Sequence, residues 1–85
     1  MGKLIPLPAG ERLELRSEEG GLRHYLAGEP VHAGELIEFL REDGSWELAR
    51  YEWNFRQQEK PALCLDGERA IWAEPEMRFR WPKKL

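Results

Sequence analysis

Three side chains of this sequence could take part in nucleophilic or metal chemistry: His24, His32 and Cys64. A thiol needs a base within hydrogen-bond distance to act as a nucleophile, and an imidazole often fills that role. His24 lies on a predicted strand among residues typical of a solvent-exposed face, whereas Cys64 lies in an apolar segment typical of a buried strand. Their spacing does not bring them together, so the sequence predicts no catalytic pair and a protein that is not an enzyme.

A metal site is the second chemistry that these residues allow. Zinc is bound by imidazole, thiolate and carboxylate groups, and both histidines with Glu35 or Glu38 would supply such a set. The histidines lie on different predicted elements, so no local spacing supports the site. We expect His32 instead to hold the loop at residues 28–34, through Glu35 or a backbone carbonyl. The sequence therefore predicts no metal and no cofactor.

Composition narrows the classes of partner. The 85 residues include 13 basic and 16 acidic side chains, which gives a net charge of −3. This length fits one small domain with a thin core. A net negative charge disfavours capture of duplex nucleic acid, which requires a basic surface. The first residues contain neither a secretion signal nor a membrane span, so we expect a cytoplasmic protein that does not enter a membrane.

Alternating polar and apolar residues predict the elements that position these groups. Residues 34–53 are expected to form a hairpin around a turn at 42–45. Residues 12–16 and 22–26 predict a strand pair around a turn at 17–21. Asp66 and Gly67 lie between apolar runs, and an Asp-Gly pair favours a two-residue hairpin turn. In the first strand of the central hairpin, Ile37 and Phe39 are predicted to share a face. In its second strand, Ala49, Tyr51 and Trp53 are predicted to share a face.

The strand spacing predicts an all-β fold, a small barrel of five to seven antiparallel strands. A closed barrel hides its edge strands, and 85 residues are few for a sandwich. We expect an extended arm at 1–10, the barrel at 11–82 and a basic tail at 83–85. Residues 74–76 are expected to form one 3₁₀ turn before a closing strand at 77–81.

Two segments of the hairpin resemble SH3-type barrels: Gly-Glu-x-Ile-Glu-Phe at 34–39, and Asp-Gly-x-Trp-x-x-Ala-Arg at 43–50. The resemblance implies that Trp46 lines a groove, that Ala49 faces the core, and that Pro75 lies beside the groove. The tyrosine-rich opening motif of SH3 domains is absent, and Tyr25 stands alone. The resemblance therefore implies the barrel more than recognition of proline-rich peptides.

A second resemblance covers more of the chain. Val-His-Ala-Gly-Glu at 31–35 and Trp-Glu-Leu-Ala-Arg-Tyr-Glu at 46–52 are similar to segments in a family of short uncharacterised bacterial proteins. In that family, Leu-His-x-Gly-Asp precedes Trp-x-x-x-Arg-Ile-Glu. The family carries no assigned activity, so this resemblance supports the fold and leaves the function open.

Aromatic residues are more numerous than one barrel interior can hold, so some are expected on the surface. The set is Trp46, Tyr51, Trp53, Phe55, Trp72, Phe79 and Trp81. Exposed aromatic rings cover partner surfaces or stack on bases. We therefore predict a binding module that docks on a protein partner through Trp46, Trp72 and Pro75, with Arg50 at the rim.

Two alternatives remain open. A single-stranded nucleic-acid binder, or an accessory to a nucleic-acid machine, would use a basic strip formed by Arg78, Arg80, Lys83 and Lys84. A homo-oligomeric structural protein would use an apolar face.

Overall fold

The structure is a computed structural model that describes residues 9–54, 59–67 and 69–83. Within these ranges the chain forms eight strands and no helix. In chain order the strands are β1 (Glu14–Glu18), β2 (Gly21–Leu26), β3 (Glu29–Pro30), β4 (Leu36–Leu40), β5 (Trp46–Glu52), β6 (Ala62–Cys64), β7 (Ala70–Trp72) and β8 (Phe79–Arg80). The predicted all-β fold is confirmed. The strand number exceeds the expected five to seven because β3 and β8 are two-residue strands. Residues 1–8 of the expected arm lie outside the described residues.

The strands form two antiparallel sheets. One has the order β1-β2-β3, and the other has the order β7-β6-β5-β4-β8. In the larger sheet, the two edge strands β7 and β8 are consecutive in the chain. The turn between them is closed by a 3.1 Å hydrogen bond from the Met77 amide to the Glu74 carbonyl. The two edges of the larger sheet are therefore connected through this turn, where the sequence predicted a single 3₁₀ turn.

A backbone bridge joins the beginning of the described chain to its last strand. The Glu11 amide donates to the Phe79 carbonyl at 2.9 Å, and the Phe79 amide donates back to the Glu11 carbonyl at 2.7 Å. Beside the bridge, the Arg78 guanidinium donates to the Gly10 carbonyl at 2.7 Å. Phe79 also pairs with Phe39 across β4. The segment before β1 is thus held by β8.

The core lies between the inner face of the larger sheet and the segment that contains Leu26 at the end of β2 and Val31 after β3. Side chains alternate across a strand, and the side chains that were predicted to share a strand face in the hairpin are buried together. The buried hydrophobic residues are Leu26, Val31, Ile37, Phe39, Ala49, Tyr51, Trp53, Leu63, Ala73 and Phe79. Opposite them, the outer face of the larger sheet carries the even-numbered residues of β4 and β5.

The predicted hairpin turns are present with changes in detail. At residues 41–45, the Gly44 amide donates to the Arg41 carbonyl, and Gly44 takes a φ of +87°. The Asp43 carboxylate accepts from the Ser45 amide at 2.9 Å, which fixes the bend. In the second hairpin, the chain reverses between Leu65 and Arg69, whose backbone groups bond at 2.9 Å. The reversal is therefore longer than the two-residue turn expected at Asp66 and Gly67.

Candidate binding surface

The four residues predicted to bind a partner occupy three different places. Trp46 and Arg50 lie on the outer face of β5, and Trp72 lies on the outer face of β7. Pro75 lies in the turn that joins β7 to β8. It lines a depression of about 250 Å³ together with Leu13, Leu15 and His24. The residues are therefore not gathered in a single groove.

Trp46 is half-buried and packs against the closing strands of the sheet. The Arg80 guanidinium carbon lies 4.2 Å from the centre of its ring. A Cβ added at Gly10 would lie 2.7 Å from the Trp46 ring, so Gly10 also covers it closely. A cation over an indole ring is an attractive contact. These contacts give Trp46 a structural role where the SH3 resemblance implied a groove wall.

Trp46 and Trp72 lie at opposite ends of the outer face. Trp72 pairs with Ala62, and Ala62 pairs with Glu52, so Trp72 is level with Glu52. Glu52 lies six residues along β5 from Trp46. At a rise of about 3.3 Å per residue, the two indoles are separated by roughly 20 Å along the strand direction. One small patch cannot contain both.

The outer face nevertheless carries an exposed apolar area around Arg50. Its large members are Trp72, Leu36 and Leu48, which are 61%, 50% and 47% exposed. Register places Leu36 opposite Arg50, and Cys64 opposite Arg50 on its other side. We call the following set the outer patch: Leu36, Leu48, Cys64, Ala70 and Trp72. Leu36 and Leu48 alternate with the buried residues of their strands, and that period of two is the signal by which the patch could be found.

The charges on this face do not pair between β4 and β5. Glu38 accepts a 2.7 Å hydrogen bond from Arg80 of β8. Arg50 donates at 3.1 Å to Glu52, two residues along its own strand. The reason is register, because the residue opposite Glu38 in β5 is Leu48. Arg50 therefore lies between the apolar residues of the outer patch, and its guanidinium bonds a carboxylate of its own strand.

His24 faces inward, contrary to the prediction of a solvent-exposed face. Its Nδ1 lies 2.7 Å from the Tyr51 hydroxyl, and its ring centre lies 4.3 Å from that of Trp53. Period two gives Leu22, His24 and Leu26 a common face, which is the signal that places His24 inward. Burial lowers the pKa of His24 and raises the pKa of Tyr51. The ring is consequently held in its neutral form, to which the Tyr51 hydroxyl can donate.

We expect the free energy of unfolding to decrease as the pH falls below about 6.5, the ordinary value for His24. Between that value and the lower pKa of the folded protein, the unfolded chain binds more protons at this position, so stability rises with pH. Urea titrations at a series of pH values would measure the slope. In His24→Gln, whose amide can still bond Tyr51 but does not titrate, the slope in this window should be reduced.

Carboxyl groups act in a separate pH range. Hydrogen bonds from neighbouring side chains lower the pKa of four of them from ordinary values of 4.5 or 3.8: Glu14, Glu18, Asp43 and Asp66. Their contribution to stability is present above the ordinary values and is lost as the pH falls through the lowered ones. A slope between pH 5 and 6.5 that is identical in the parent and in His24→Gln would contradict the assignment to His24.

The other candidate chemical residues are placed apart. Cys64 is half-buried on the outer face of β6, while His24 is on the inner side of its sheet. His32 bonds Glu35 through Nδ1 at 2.6 Å, and the Glu35 amide donates to the His32 carbonyl at 3.0 Å. The predicted structural role of His32 in its loop is confirmed. Within the described ranges, no group of three His, Cys, Asp or Glu side chains is arranged to hold a metal ion.

Comparisons with protein-family models, with curated proteins and with solved structures found no match for the chain. Among residues 9–54, 59–67 and 69–83, no helix has the length and hydrophobicity needed to span a membrane.

Proposed function

We propose that this chain is a non-catalytic binding module that docks on a protein partner through the outer patch. The observation that carries the proposal is the exposure of Trp72, Leu36 and Leu48 on one face of a hydrogen-bonded sheet. Trp72 keeps 61% of its surface accessible although the core of this small domain is thin. Exposed apolar side chains that share one face of a sheet are typical of protein interaction sites.

The chemistry of the outer patch favours a protein partner with an apolar surface and an acidic group. Interface cores are enriched in aromatic residues and arginine, and Arg50 lies between Leu36 and Cys64 in the sheet. Within the described part of the chain, Arg50 pairs with the partly exposed carboxylate of Glu52 on the same strand. Such an exposed pair contributes at most about 1 kcal/mol, so a partner carboxylate can compete for Arg50 at little cost.

The nucleic-acid alternative receives less support from the described contacts. Arg80 bonds Glu38 and covers the Trp46 ring, while Arg78 is half-buried and bonds the Gly10 carbonyl. These two members of the basic strip are engaged within the domain. Lys83 is exposed, and Lys84 lies outside the described residues. Fluorescence anisotropy with mixed single-stranded oligonucleotides at low salt would test this alternative directly, and binding at micromolar concentrations would favour it.

We expect Trp72→Ala combined with Leu48→Ala to weaken partner binding by about thirtyfold or more. An aromatic residue at the centre of an interface contributes about 2 kcal/mol or more, which corresponds to that factor. Both side chains are exposed, so each replacement should change the free energy of unfolding by no more than about 0.5 kcal/mol. The measurement is affinity capture from extract of the cell that makes the protein, followed by calorimetric titration of the purified partner.

Ile71→Ala is the matched control for this experiment. Ile71 is the residue next to Trp72 in β7, but it pairs with buried Leu63 on the opposite face. The control should retain the partner recovered by the parent protein. If the double variant is folded and binds the same partner with parental affinity, the outer patch is not the docking surface.

A further inference from the structure

Strand β1 forms one edge of the smaller sheet. Among the described residues, β2 is the only strand that pairs with it, and all five residues of β1 are exposed. An edge strand offers backbone N–H and C=O groups to any strand of suitable register. A second strand can pair with β1 only in a register that matches the residues whose backbone groups point outward.

The ladder shows that Leu15 directs its backbone groups outward. Leu15 is opposite His24 in β2, and the His24 carbonyl accepts a 2.9 Å bond from the Val31 amide on the far side of β2. In an antiparallel pair, opposed residues either both bond across the pair or both point away from it. Since His24 bonds away from β1, Leu15 bonds away from β2. By the same alternation Ser17 also presents its backbone groups at the free edge, and Leu13 does so when the ladder extends beyond the start of β1, as the pairing below requires.

The sequence of this edge is complementary to itself. Consider β1 of a second copy that pairs antiparallel with β1 of the first, with a two-fold axis at Leu15. Arg12 then lies opposite Glu18, Leu13 opposite Ser17 and Glu14 opposite Arg16. The two Leu15 residues lie opposite each other on the axis. Every charged position from 12 to 18 then meets the opposite charge. The residues whose backbone groups point outward, Leu13, Leu15 and Ser17, are also opposite one another in this register. Their N–H and C=O groups can therefore form hydrogen bonds across the axis.

Neighbouring registers lack this match. A two-fold axis at Glu14 would place that carboxylate against its own copy and Arg12 against Arg16. An axis at Arg16 would place that guanidinium against its own copy and Glu14 against Glu18. Like charges directly opposite each other destabilise a strand pair. The charge pattern therefore favours Leu15 over both of its neighbours as the centre, and this register forms more opposite-charge pairs than an axis at Ser17, which pairs only Arg16 with Glu18.

We propose that two copies of this chain form a symmetric dimer by pairing β1 with β1 about Leu15. The two smaller sheets then become one continuous six-stranded sheet across the two-fold axis. Leu15 is 38% exposed and borders the depression lined by Leu13, His24 and Pro75. In the dimer the two Leu15 side chains meet on this side of the sheet. The oligomer expected from the sequence was assigned to an apolar face, whereas this assembly uses a strand edge.

Charge reversal tests the register. Sedimentation velocity of the full 85-residue chain from about 10 μM to about 1 mM should show association of the 10.0 kDa chain into a species of twice that mass. Glu14→Arg and Arg16→Glu each place two like-charged pairs across the axis. We expect each variant alone to dimerise at least about tenfold more weakly than the parent. Circular dichroism would establish that both variants are folded.

Mixing the two variants separates a dimer contact from a contact within one chain. At present Arg16 bonds Glu14 of the same chain at 3.0 Å, and each single reversal breaks that bond. In an equimolar mixture, the two arginines of one variant face the two glutamates of the other. We therefore expect a heterodimer with parental affinity, detected by native mass spectrometry. If Glu14 and Arg16 interacted only within one chain, mixing the two variants would not restore dimerisation.

A backbone control uses Ser17, whose N–H points to the free edge. Ser17→Pro removes that donor without removing a bond to β2, and proline is tolerated at strand edges. Ser17→Ala keeps the donor and should dimerise like the parent, whereas Ser17→Pro should weaken the dimer at least about tenfold. A parent that remains monomeric at about 1 mM would overturn the proposal. So would a dimer that persists unchanged in both charge-reversal variants.

Discussion

Replacing Phe79 with alanine should lower the free energy of unfolding by about 3–5 kcal/mol, the usual cost of truncating a buried phenylalanine. Phe79 is only 1% exposed, and it lies in the two-residue strand that closes the larger sheet. Its side chain lies in the core beside Phe39. Its backbone N–H and C=O groups both bond the backbone of Glu11. At about 0.05–0.15 kcal/mol per residue, a chain of 85 residues has roughly 4–13 kcal/mol in total. The loss should therefore remove between about a quarter and all of the stability of the domain.

Urea unfolding followed by tryptophan fluorescence would measure this loss. Phe79→Leu keeps most of the apolar volume and is expected to cost less than about 1.5 kcal/mol. A difference between the two variants shows that the cavity, and not the change of residue alone, causes the loss. If the free energy of unfolding of Phe79→Ala is within about 1 kcal/mol of that of the parent, then β8 is not a required part of the core.

Gly10→Ala should lower the free energy of unfolding by about 2–5 kcal/mol. Gly10 takes a φ of +76°, a conformation that costs an L-residue about 1–2 kcal/mol. The added Cβ would also lie 2.7 Å from the Phe79 carbonyl oxygen and 2.7 Å from the Trp46 ring. Overpacking of this kind costs about 1–3 kcal/mol, because backbone or ring must move. The Phe79 oxygen concerned accepts the bond from Glu11, so the closing bridge is strained as well.

Gly44→Ala is the control for the conformational part of this effect. Gly44 has a φ of +87°, and a Cβ there would meet no atom within 4 Å. Its replacement should cost about 1–2 kcal/mol from backbone strain only. The excess cost of Gly10→Ala then measures the contact with Trp46 and Phe79. Equal losses in the two variants would show that the close approach at Gly10 is not part of the folded protein.

The pattern of apolar residues was enough to predict most of the larger sheet. Period two alone grouped Ile37 with Phe39, and Ala49 with Tyr51 and Trp53, on shared strand faces, and all five are buried. Period two works here because each strand of the sheet has one face on the core and one on the surface. The turn at residues 42–45 followed from local residue preferences, which act over a few neighbouring positions.

Features created by contacts distant in sequence could not be predicted in this way. Trp46 was expected on a binding surface, but Arg80 and Gly10 cover it, and both come from distant parts of the chain. Pro30 was assigned to a loop, yet it pairs with Tyr25 in β3. Proline is accepted there because β3 is an edge strand. Trp72, by contrast, was expected on a binding surface, and it is exposed because its position in β7 points away from the core.

The bridge between Glu11 and Phe79 has a consequence for how fast the protein can form. The neighbouring bond from Arg78 to Gly10 joins residues 68 positions apart, so shutting the sheet requires nearly the whole chain to be in place. Domains whose pairings join such remote residues have a high contact order and reach the native state in milliseconds to seconds. Until that step, the outer edge of β8 is open. Slow closure would leave this edge free to pair with strands of other chains while the protein folds.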